Sequence, residues 1–276
     1  MSVPLLPGLG VLAGQYDGFI LDLWGVLHDG ERPMAGAVDA LERLRQAGKR
    51  IVILSNAPRR AAGVIRRIGE IGIPRALYDE LLSSGEATWR WLKESRPAGQ
   101  RFYPIMAARD GNMREGLDLE PAPIEAADFI LNTGVESSAD KIEDFEAVLR
   151  KGVARDLLMV CANPDLVVIH AGKQEICAGA LALRYEQLGG RVQYFGKLHP
   201  QIYRDCLALL GIAERRRILA VGDSLRTDIA GANAAGLDGL LVLGGIHQEE
   251  LAGGDLDAIV RRHGIQPKAA VADFRW

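Results

Sequence analysis

The first buried strand of the chain is predicted at Gly18-Phe-Ile-Leu-Asp-Leu-Trp24. A short continuous apolar run of this kind is typical of a strand covered on both faces, and Asp22 comes where such a strand should end. A helical repeat follows between Gly36 and Gly48, and residues 51–54 form a second short apolar run. Strand, helix and strand joined by short links make a βαβ unit, which favours a parallel sheet.

The same alternation of strands and helices continues up to about residue 94 and returns after residue 191. Further strands are predicted at 81–82, 192–195, 218–221 and 239–243. Further helices are predicted at 59–71, at 85–94, after 195 with its end at 207, and at about 228–235. The fold class predicted is therefore α/β, a doubly wound parallel sheet formed by residues 1–98 plus 192–276.

The middle of the chain has a different pattern. Residues 94–100 are typical of a linker, and beyond them lie a break at Pro121-Ala-Pro123 and a second set of strands at 129–131 and 157–161. Because this stretch carries its own apolar runs, we expect residues 99–191 to form an inserted α/β domain with a small core of its own.

The bulk composition is that of an ordinary globular protein. Its 276 residues carry a net charge of −3 and a mean hydropathy of +0.03, which gives no reason to expect nucleic acid as a partner. No run reaches the roughly 18 apolar residues of a membrane span, and the N-terminal residues lack the basic flank of a signal peptide. Buried, reduced thiols are predicted for Cys161, Cys177 and Cys206, and a cytoplasmic location is expected.

Polar residues follow four of the predicted strands at their carboxyl ends, where open α/β sheets bind ligands. They are Asp22, Ser55-Asn56, Lys197 and Gly222-Asp223-Ser224. If these strands are neighbours, two carboxylates, a hydroxyl and an ammonium group converge on one crevice. This set suits a phosphate dianion with one Mg²⁺, because magnesium prefers carboxylate, carbonyl and water oxygens and shares its shell with substrate phosphate.

These residues resemble the sequence motifs of the haloacid dehalogenase superfamily, most of whose members are phosphatases. The similar segments are Asp22-Leu-Trp-Gly-Val-Leu, Ile53-Leu-Ser-Asn56, Gly196-Lys-Leu-His-Pro200 and Val221-Gly-Asp-Ser-Leu-Arg-Thr-Asp228. The insertion occupies the place of that superfamily's class II caps. Ala162-Asn-Pro-Asp165 and Cys177-Ala-Gly-Ala-Leu181 resemble the class IIA branch, which includes nucleotide, sugar-phosphate and pyridoxal phosphatases.

The resemblance implies a role for each site residue. Asp22 is expected to be the nucleophile and a magnesium ligand, and the backbone carbonyl of Trp24 is also expected to bind magnesium. Asp223 is expected to bind the metal, and Asp228 either to bind it or to orient the lysine. Phosphate is expected to contact three residues (Ser55, Asn56 and Lys197), and the cap to contact substrate through Asn163 and Asp165. Dimerisation through the cap is a further implication.

Trp24 departs from the family pattern, which usually has a second aspartate there that protonates the leaving alcohol and activates water. Another acid could replace it, the candidates being His28, His199, Asp165 and His170. Alternatively, the substrate could have a good leaving group, or the protein could be a slow enzyme or a phosphometabolite-binding protein. Dehalogenases also lack this aspartate but use no metal, which Asp223 and Asp228 argue against. The function expected is magnesium-dependent hydrolysis of a small phosphorylated metabolite.

Overall fold

The computed structural model describes residues 2–95, 99–170, 173–197, 199–244 and 256–276, and it leaves the side chains of residues 95, 169, 170, 173 and 174 undescribed. The chain divides into two compact units. The first consists of Met1–Ser55, Ile65–Leu82 and Lys197–Trp276, and the second consists of Asn56–Val64 and Ser83–Gly196.

The first unit contains a seven-stranded sheet with the order β1-β14-β13-β12-β2-β3-β4. Its strands are β1 (Leu5–Leu6), β2 (Gly18–Asp22), β3 (Arg50–Ser55), β4 (Glu80–Ser83), β12 (Ile218–Gly222), β13 (Asp238–Val242) and β14 (Ala269–Val271). Every residue of β2 and β12 is buried, which explains why these strands have continuous apolar sequences. The pairs β2–β3, β2–β12 and β12–β13 are all parallel, as the βαβ pattern predicts.

The helices of the first unit connect these strands. They are α1 (Gly10–Ala13), α2 (Ala37–Gln46), α3 (Ala61–Ile71), α7 (Pro200–Leu210), α8 (Ala230–Ala234) and α9 (Leu256–His263), and α3 begins in the second unit. A helix between successive parallel strands buries its apolar face on the sheet. Ala40, Leu41 and Leu44 show this for α2, since all three are fully buried.

The second unit has a five-stranded parallel sheet with the order β11-β8-β7-β5-β6. Its strands are β5 (Arg101–Ile105), β6 (Glu120–Pro121), β7 (Phe129–Asn132), β8 (Leu158–Cys161) and β11 (Arg191–Tyr194); β9 (Val167–His170) and β10 (Lys173–Ile176) form an antiparallel hairpin. The helices are α4 (Ser84–Ser95), α5 (Ile142–Ala154) and α6 (Ala178–Gln187). Buried side chains from β7, β8, α5 and α6 form a core within this unit.

The structure corrects one expectation about the strand that precedes Lys197. This strand, β11, was expected to join the first unit's sheet, but it pairs with β8 in the second unit's sheet. The apolar pattern identifies a strand without identifying its partner, which explains the error. The predicted limits of the inserted domain, 99–191, differ from the limits of the second unit, and its role as a cap remains a prediction. Within the described ranges, no helix has the length and apolar character needed to span a bilayer.

Candidate active site

Three of the predicted site residues lie at the ends of adjacent strands in the first unit. Asp22 of β2 is paired with Leu54 of β3, so Ser55 is the next residue along β3. On the other side of β2, Leu21 is paired with Val221 of β12, and Gly222 and Asp223 follow. Asp22, Ser55 and Asp223 therefore meet at the carboxyl edge of the sheet, as predicted, with Asp22 on the middle strand.

Lys197 joins this group by binding two carboxylates. Its ammonium nitrogen contacts Oδ1 of Asp22 and lies 2.8 Å from Oδ1 of Asp228. All three side chains are buried, Lys197 being only 4% exposed. A lysine with so little access to water is tolerated when carboxylates replace its hydration shell. The structure thus brings Lys197 to Asp22 even though β11, the strand before it, belongs to the other sheet.

The three buried carboxylates form a group that fits a cation. Ligand oxygens of Asp22, Asp223 and Asp228 all lie within 4.8 Å of one another. Burial raises the pKa of Asp22 well above its usual range, the neighbouring Asp228 raises it further, and Lys197 opposes both effects. Three carboxylates against one ammonium group leave excess negative charge, which a hard divalent cation such as Mg²⁺ would neutralise.

Asp228 is held by an unusual turn. Leu225–Ile229 forms a single π-helical turn that begins three residues after the last residue of β12. In this turn the N–H of Ile229 donates to the carbonyl of Ser224 at 3.1 Å. The N–H of Ser224 in turn donates to Oδ2 of Asp228 at 3.1 Å. Because Oδ2 contacts Ser224 and Oδ1 contacts Lys197, the geometry favours Asp228 as the carboxylate that orients the lysine. Direct binding of metal by Asp228 stays a prediction.

Three residues that support this turn were given no role in the sequence analysis. The buried hydroxyl of Tyr203 donates to the backbone carbonyl of Asp228 at 3.0 Å. A methyl group on Gly222 would lie 2.1 Å from Cγ of Asp228, and one on Gly231 would lie 2.4 Å from Cε2 of Tyr203. Gly222 and Gly231 belong to one motif and could have indicated this packing, because a glycine within a strand or helix often marks the close approach of another group.

Trp24 lies in the loop that follows Asp22. Its indole is half-buried and packs edge-to-face on His28, with 5.4 Å between the ring centroids. A methyl group on Gly30 would lie 2.5 Å from Cη2 of Trp24, and Gly30 also has a φ of +101°. Glycine is therefore required at position 30 on two counts. The predicted magnesium contact of the Trp24 carbonyl remains a prediction.

The histidines named as substitute acids have different surroundings. His28 is buried, its Nδ1 accepts the N–H of Gly30 at 2.8 Å, and burial lowers its pKa to about 4. It is therefore neutral near pH 7, which does not suit a proton donor. Burial also lowers the pKa of His199. The side chain of His170 lies outside the described residues.

The predicted cap residues form a hydrogen-bonded group with Asn56 in the second unit. The amide nitrogen of Asn56 donates to Oδ1 of Asp165 at 2.9 Å, and the N–H of Asp165 donates to Oδ1 of Asn163 at 3.0 Å. Gly196, with a φ of +121°, lies against this group, because a methyl group there would be 2.5 Å from Oδ1 of Asn56. Asn163 thus stabilises the turn at Pro164 and Asp165 orients the Asn56 amide. Their contact with substrate stays a prediction.

Comparison with known proteins identifies the family. Residues 19–120 match the family model described as haloacid dehalogenase-like hydrolase, and residues 194–274 match one described as HAD-hydrolase-like. Chronophin from Rattus norvegicus is 30% identical over 254 residues, which is 87% of this chain and 80% of that protein. Ribonucleotide monophosphatase NagD from Escherichia coli (strain K12) is 27% identical over 92% of this chain and 97% of its own length.

Solved structures agree with these relatives. A haloacid dehalogenase-like hydrolase from Brucella suis 1330 has 33% sequence identity and a TM-score of 0.86, covering 98% of this chain and 99% of that chain. Glycerol phosphate phosphatase from Mycobacterium tuberculosis, solved in complex with magnesium, has 25% identity and a TM-score of 0.67, covering 85% and 70%. The predicted fold class is confirmed. The chain belongs to the haloacid dehalogenase-like hydrolases, and specifically to their class IIA phosphatases, as its motifs predicted.

Proposed function

We propose that this phosphatase is magnesium-dependent and hydrolyses a small phosphorylated metabolite through an aspartyl-phosphate intermediate, an acyl phosphate formed on Asp22. The observation that carries the proposal is the position of Asp22. It is buried at the end of β2, an interior strand of the sheet, beside Lys197 and within 4.8 Å of two further carboxylates. A carboxylate nucleophile divides one difficult hydrolysis into two easier steps.

Magnesium would be held by Asp22, Asp223 and the Trp24 carbonyl, and when bound it would neutralise charge on the phosphate and draw it towards the nucleophile. The neighbouring residues orient the nucleophile. Oδ1 of Asp22 accepts the N–H of Leu23 at 2.6 Å and contacts Lys197, so the carboxylate is fixed before substrate arrives. A fixed nucleophile loses little entropy when the reaction begins.

Lys197 and Ser55 would hold the phosphoryl oxygens. Lys197 is oriented by Asp228 at 2.8 Å, and Ser55 lies on the strand next to Asp22. Charge on the equatorial oxygens is best stabilised by donors that are already in place in a water-poor site. Asn56, the residue after Ser55, would add an amide donor whose orientation is set by Asp165.

The names of the relatives support a small substrate. One relative is named a ribonucleotide monophosphatase, and another is a glycerol phosphate phosphatase whose structure contains magnesium. We therefore place the substrate of this chain among small phosphorylated metabolites. The predicted homodimer and cytoplasmic location remain predictions.

A phosphometabolite-binding protein with little turnover is the second candidate function. Trp24 favours it, because indole cannot exchange a proton with a leaving group near neutral pH. Dehalogenation is disfavoured by the cluster that Asp223 and Asp228 form with Asp22, since a reaction that uses no metal has no need of a cation site.

Hydrolysis of p-nitrophenyl phosphate with and without magnesium tests the proposal. We expect magnesium-dependent turnover that Asp22→Asn abolishes. Asp17→Asn is the matched control, because Asp17 immediately precedes β2 at its opposite end, pairs with Arg217 and should not affect turnover. Tight binding of phosphate esters without turnover would support the second candidate function, and turnover by Asp22→Asn would refute the first.

A further inference from the structure

We propose that the physiological substrate carries a leaving group that departs as a stable anion, as in an aryl, enol or acyl phosphate or a phosphoanhydride. The inference rests on the proposed function and concerns the class of substrate that this site can cleave. It follows from the fixed position of Trp24 and from the hydrogen bonds of its loop.

Trp24 is held in place from several directions. Its backbone forms a β-bridge with His28, and its ring packs edge-to-face on the His28 imidazole with 5.4 Å between centroids. The far edge of the indole contacts Gly30, whose carbonyl accepts a hydrogen bond from Arg67 of α3 at 3.0 Å. Moving the indole from this position would break these contacts. The indole therefore stays two residues from the nucleophile.

Two other polar side chains of this loop, His28 and Asp29, accept hydrogen bonds from backbone groups of the loop itself. Nδ1 of His28 accepts the N–H of Gly30 at 2.8 Å. Asp29 accepts the N–H groups of Glu31 and Arg32 at 2.9 Å each, which closes the turn at the tip of the loop. In the described part of this loop, the side chain two residues after Asp22 is therefore an indole, and the Nδ1 of His28 and the carboxylate of Asp29 act as hydrogen-bond acceptors.

The first chemical step shows why this matters. An oxygen of Asp22 forms a bond to phosphorus, the bond from phosphorus to the leaving oxygen breaks, and the electron pair stays on that oxygen. An alkoxide is too basic to depart easily, and a positioned acid typically accelerates such a step by about 10²–10⁴-fold. A phenolate, enolate, carboxylate or phosphate needs no such proton. The loop therefore selects against simple alkyl esters.

The second step needs a base that accepts a proton from water, where the first step needs an acid that donates one. Water attacks phosphorus, the bond to Asp22 breaks with its electron pair returning to the carboxylate, and inorganic phosphate leaves while the proton passes to solvent. Without a base at position 24 to accept that proton, this step is slow. We therefore expect the phosphorylated enzyme to accumulate with a good substrate. For this reason kcat/KM, which reports only the first step, is the quantity to compare between esters.

The test compares kcat/KM with magnesium for p-nitrophenyl, phenyl and benzyl phosphate. Phenyl and benzyl esters have similar bulk, but benzyl alcohol is a much poorer leaving group. We expect a steep fall along the series, with benzyl phosphate about 10²–10⁴-fold below p-nitrophenyl phosphate. Trp24→Asp, which introduces an acid, should raise the benzyl to p-nitrophenyl ratio, whereas Trp24→Asn, of the same size without the acid, should not.

Each outcome decides between the claims. A wild-type series with no dependence on the leaving group contradicts this inference and leaves the phosphatase activity intact, and so does an equal ratio in the Asp and Asn variants. Failure to hydrolyse any of the three esters contradicts the proposed function itself. Because each ratio is measured within one protein, a partly unfolded variant does not distort it, and the wild-type series decides the matter if neither variant folds.

Discussion

The hydroxyl of Tyr203 donates a hydrogen bond to the backbone carbonyl of Asp228 at 3.0 Å. Tyr203 lies on α7, which begins three residues after Lys197, and Lys197 itself pairs with the Asp228 carboxylate at 2.8 Å. Two contacts therefore connect the helix that follows the lysine to the turn that carries the acid. These contacts hold Lys197 next to the Asp228 carboxylate before any ligand binds.

Removing the Tyr203 hydroxyl should loosen that turn. We expect Tyr203→Phe to lower the free energy of unfolding by about 1 kcal/mol, the usual contribution of one hydrogen bond, and to raise the magnesium concentration needed for half-maximal activity. Urea unfolding and a magnesium titration of turnover measure the two effects.

Tyr185→Phe is the matched control, because the buried Tyr185 hydroxyl donates to the carbonyl of Leu157 at 2.7 Å in the second unit. It should lose similar stability without a change in the magnesium requirement. Equal magnesium effects in both variants would contradict the role given to Tyr203.

A side chain at Gly222 should displace Asp228. The methyl group of Gly222→Ala would lie 2.1 Å from Cγ of Asp228, so the carboxylate must leave Lys197. Overpacking of this kind typically costs about 1–3 kcal/mol, and we expect turnover to fall by roughly tenfold or more.

Gly69→Ala provides the comparison, because a methyl group there meets nothing within 4 Å and Gly69 lies inside α3. It should stabilise the protein by about 0.5–1 kcal/mol and leave turnover unchanged. Normal turnover in Gly222→Ala would show that Asp228 does not need its present position.

Asn56 and Asp165 should behave as one functional group. Since the Asn56 amide donates to Asp165 at 2.9 Å, we expect Asn56→Ala and Asp165→Ala to raise KM for p-nitrophenyl phosphate, and the double variant to be no worse than the more severe single one. The coupling energy in such a cycle is typically about 0.5–3 kcal/mol.

Asp128→Ala replaces Asp165→Ala in the control cycle, because Asp128 pairs with Arg101 instead. Its effects should add to those of Asn56→Ala. Strict additivity for Asn56 and Asp165 as well would mean that Asp165 does not orient the amide.

The three thiols should be unreactive in the folded protein. Cys161, Cys177 and Cys206 are buried, and burial raises the pKa of both Cys161 and Cys177 to about 12. Since the thiolate is the reactive form, a thiol reagent such as dithionitrobenzoate should label none of them at pH 8, and all three after denaturation. Rapid labelling of the native protein would contradict the packing around them.

The sequence was informative where one residue's surroundings depend on its near neighbours. The strands ending at Asp22, at Ser55 and before Asp223 were predicted because each is a continuous apolar run followed by a polar residue. Sheet membership was not predictable in the same way: β11 has an ordinary strand pattern, yet it pairs with β8. The choice of partner depends on contacts between distant segments, which periodicity does not contain.

The site residues likewise differ in how far the sequence predicts them. Asp22, Ser55, Lys197, Asp223 and Asp228 were identified from motifs, and the structure brings them together. Tyr203 could not be found, because a tyrosine within an amphipathic helix has the pattern of a core residue. Asp165 was predicted to contact substrate, but only the structure shows that it hydrogen-bonds Asn56. Side-chain partners of this kind are set by the fold as a whole.

The most direct test of covalent catalysis by Asp22 is to locate the phosphoryl group on the enzyme. The protein would be mixed with p-nitrophenyl phosphate and magnesium, quenched in acid during turnover, digested and analysed by mass spectrometry. We predict one phosphoryl group on Asp22, formed together with a burst of p-nitrophenol. A phosphoryl group on any other residue, or a burst with no phosphorylated residue, would contradict the account.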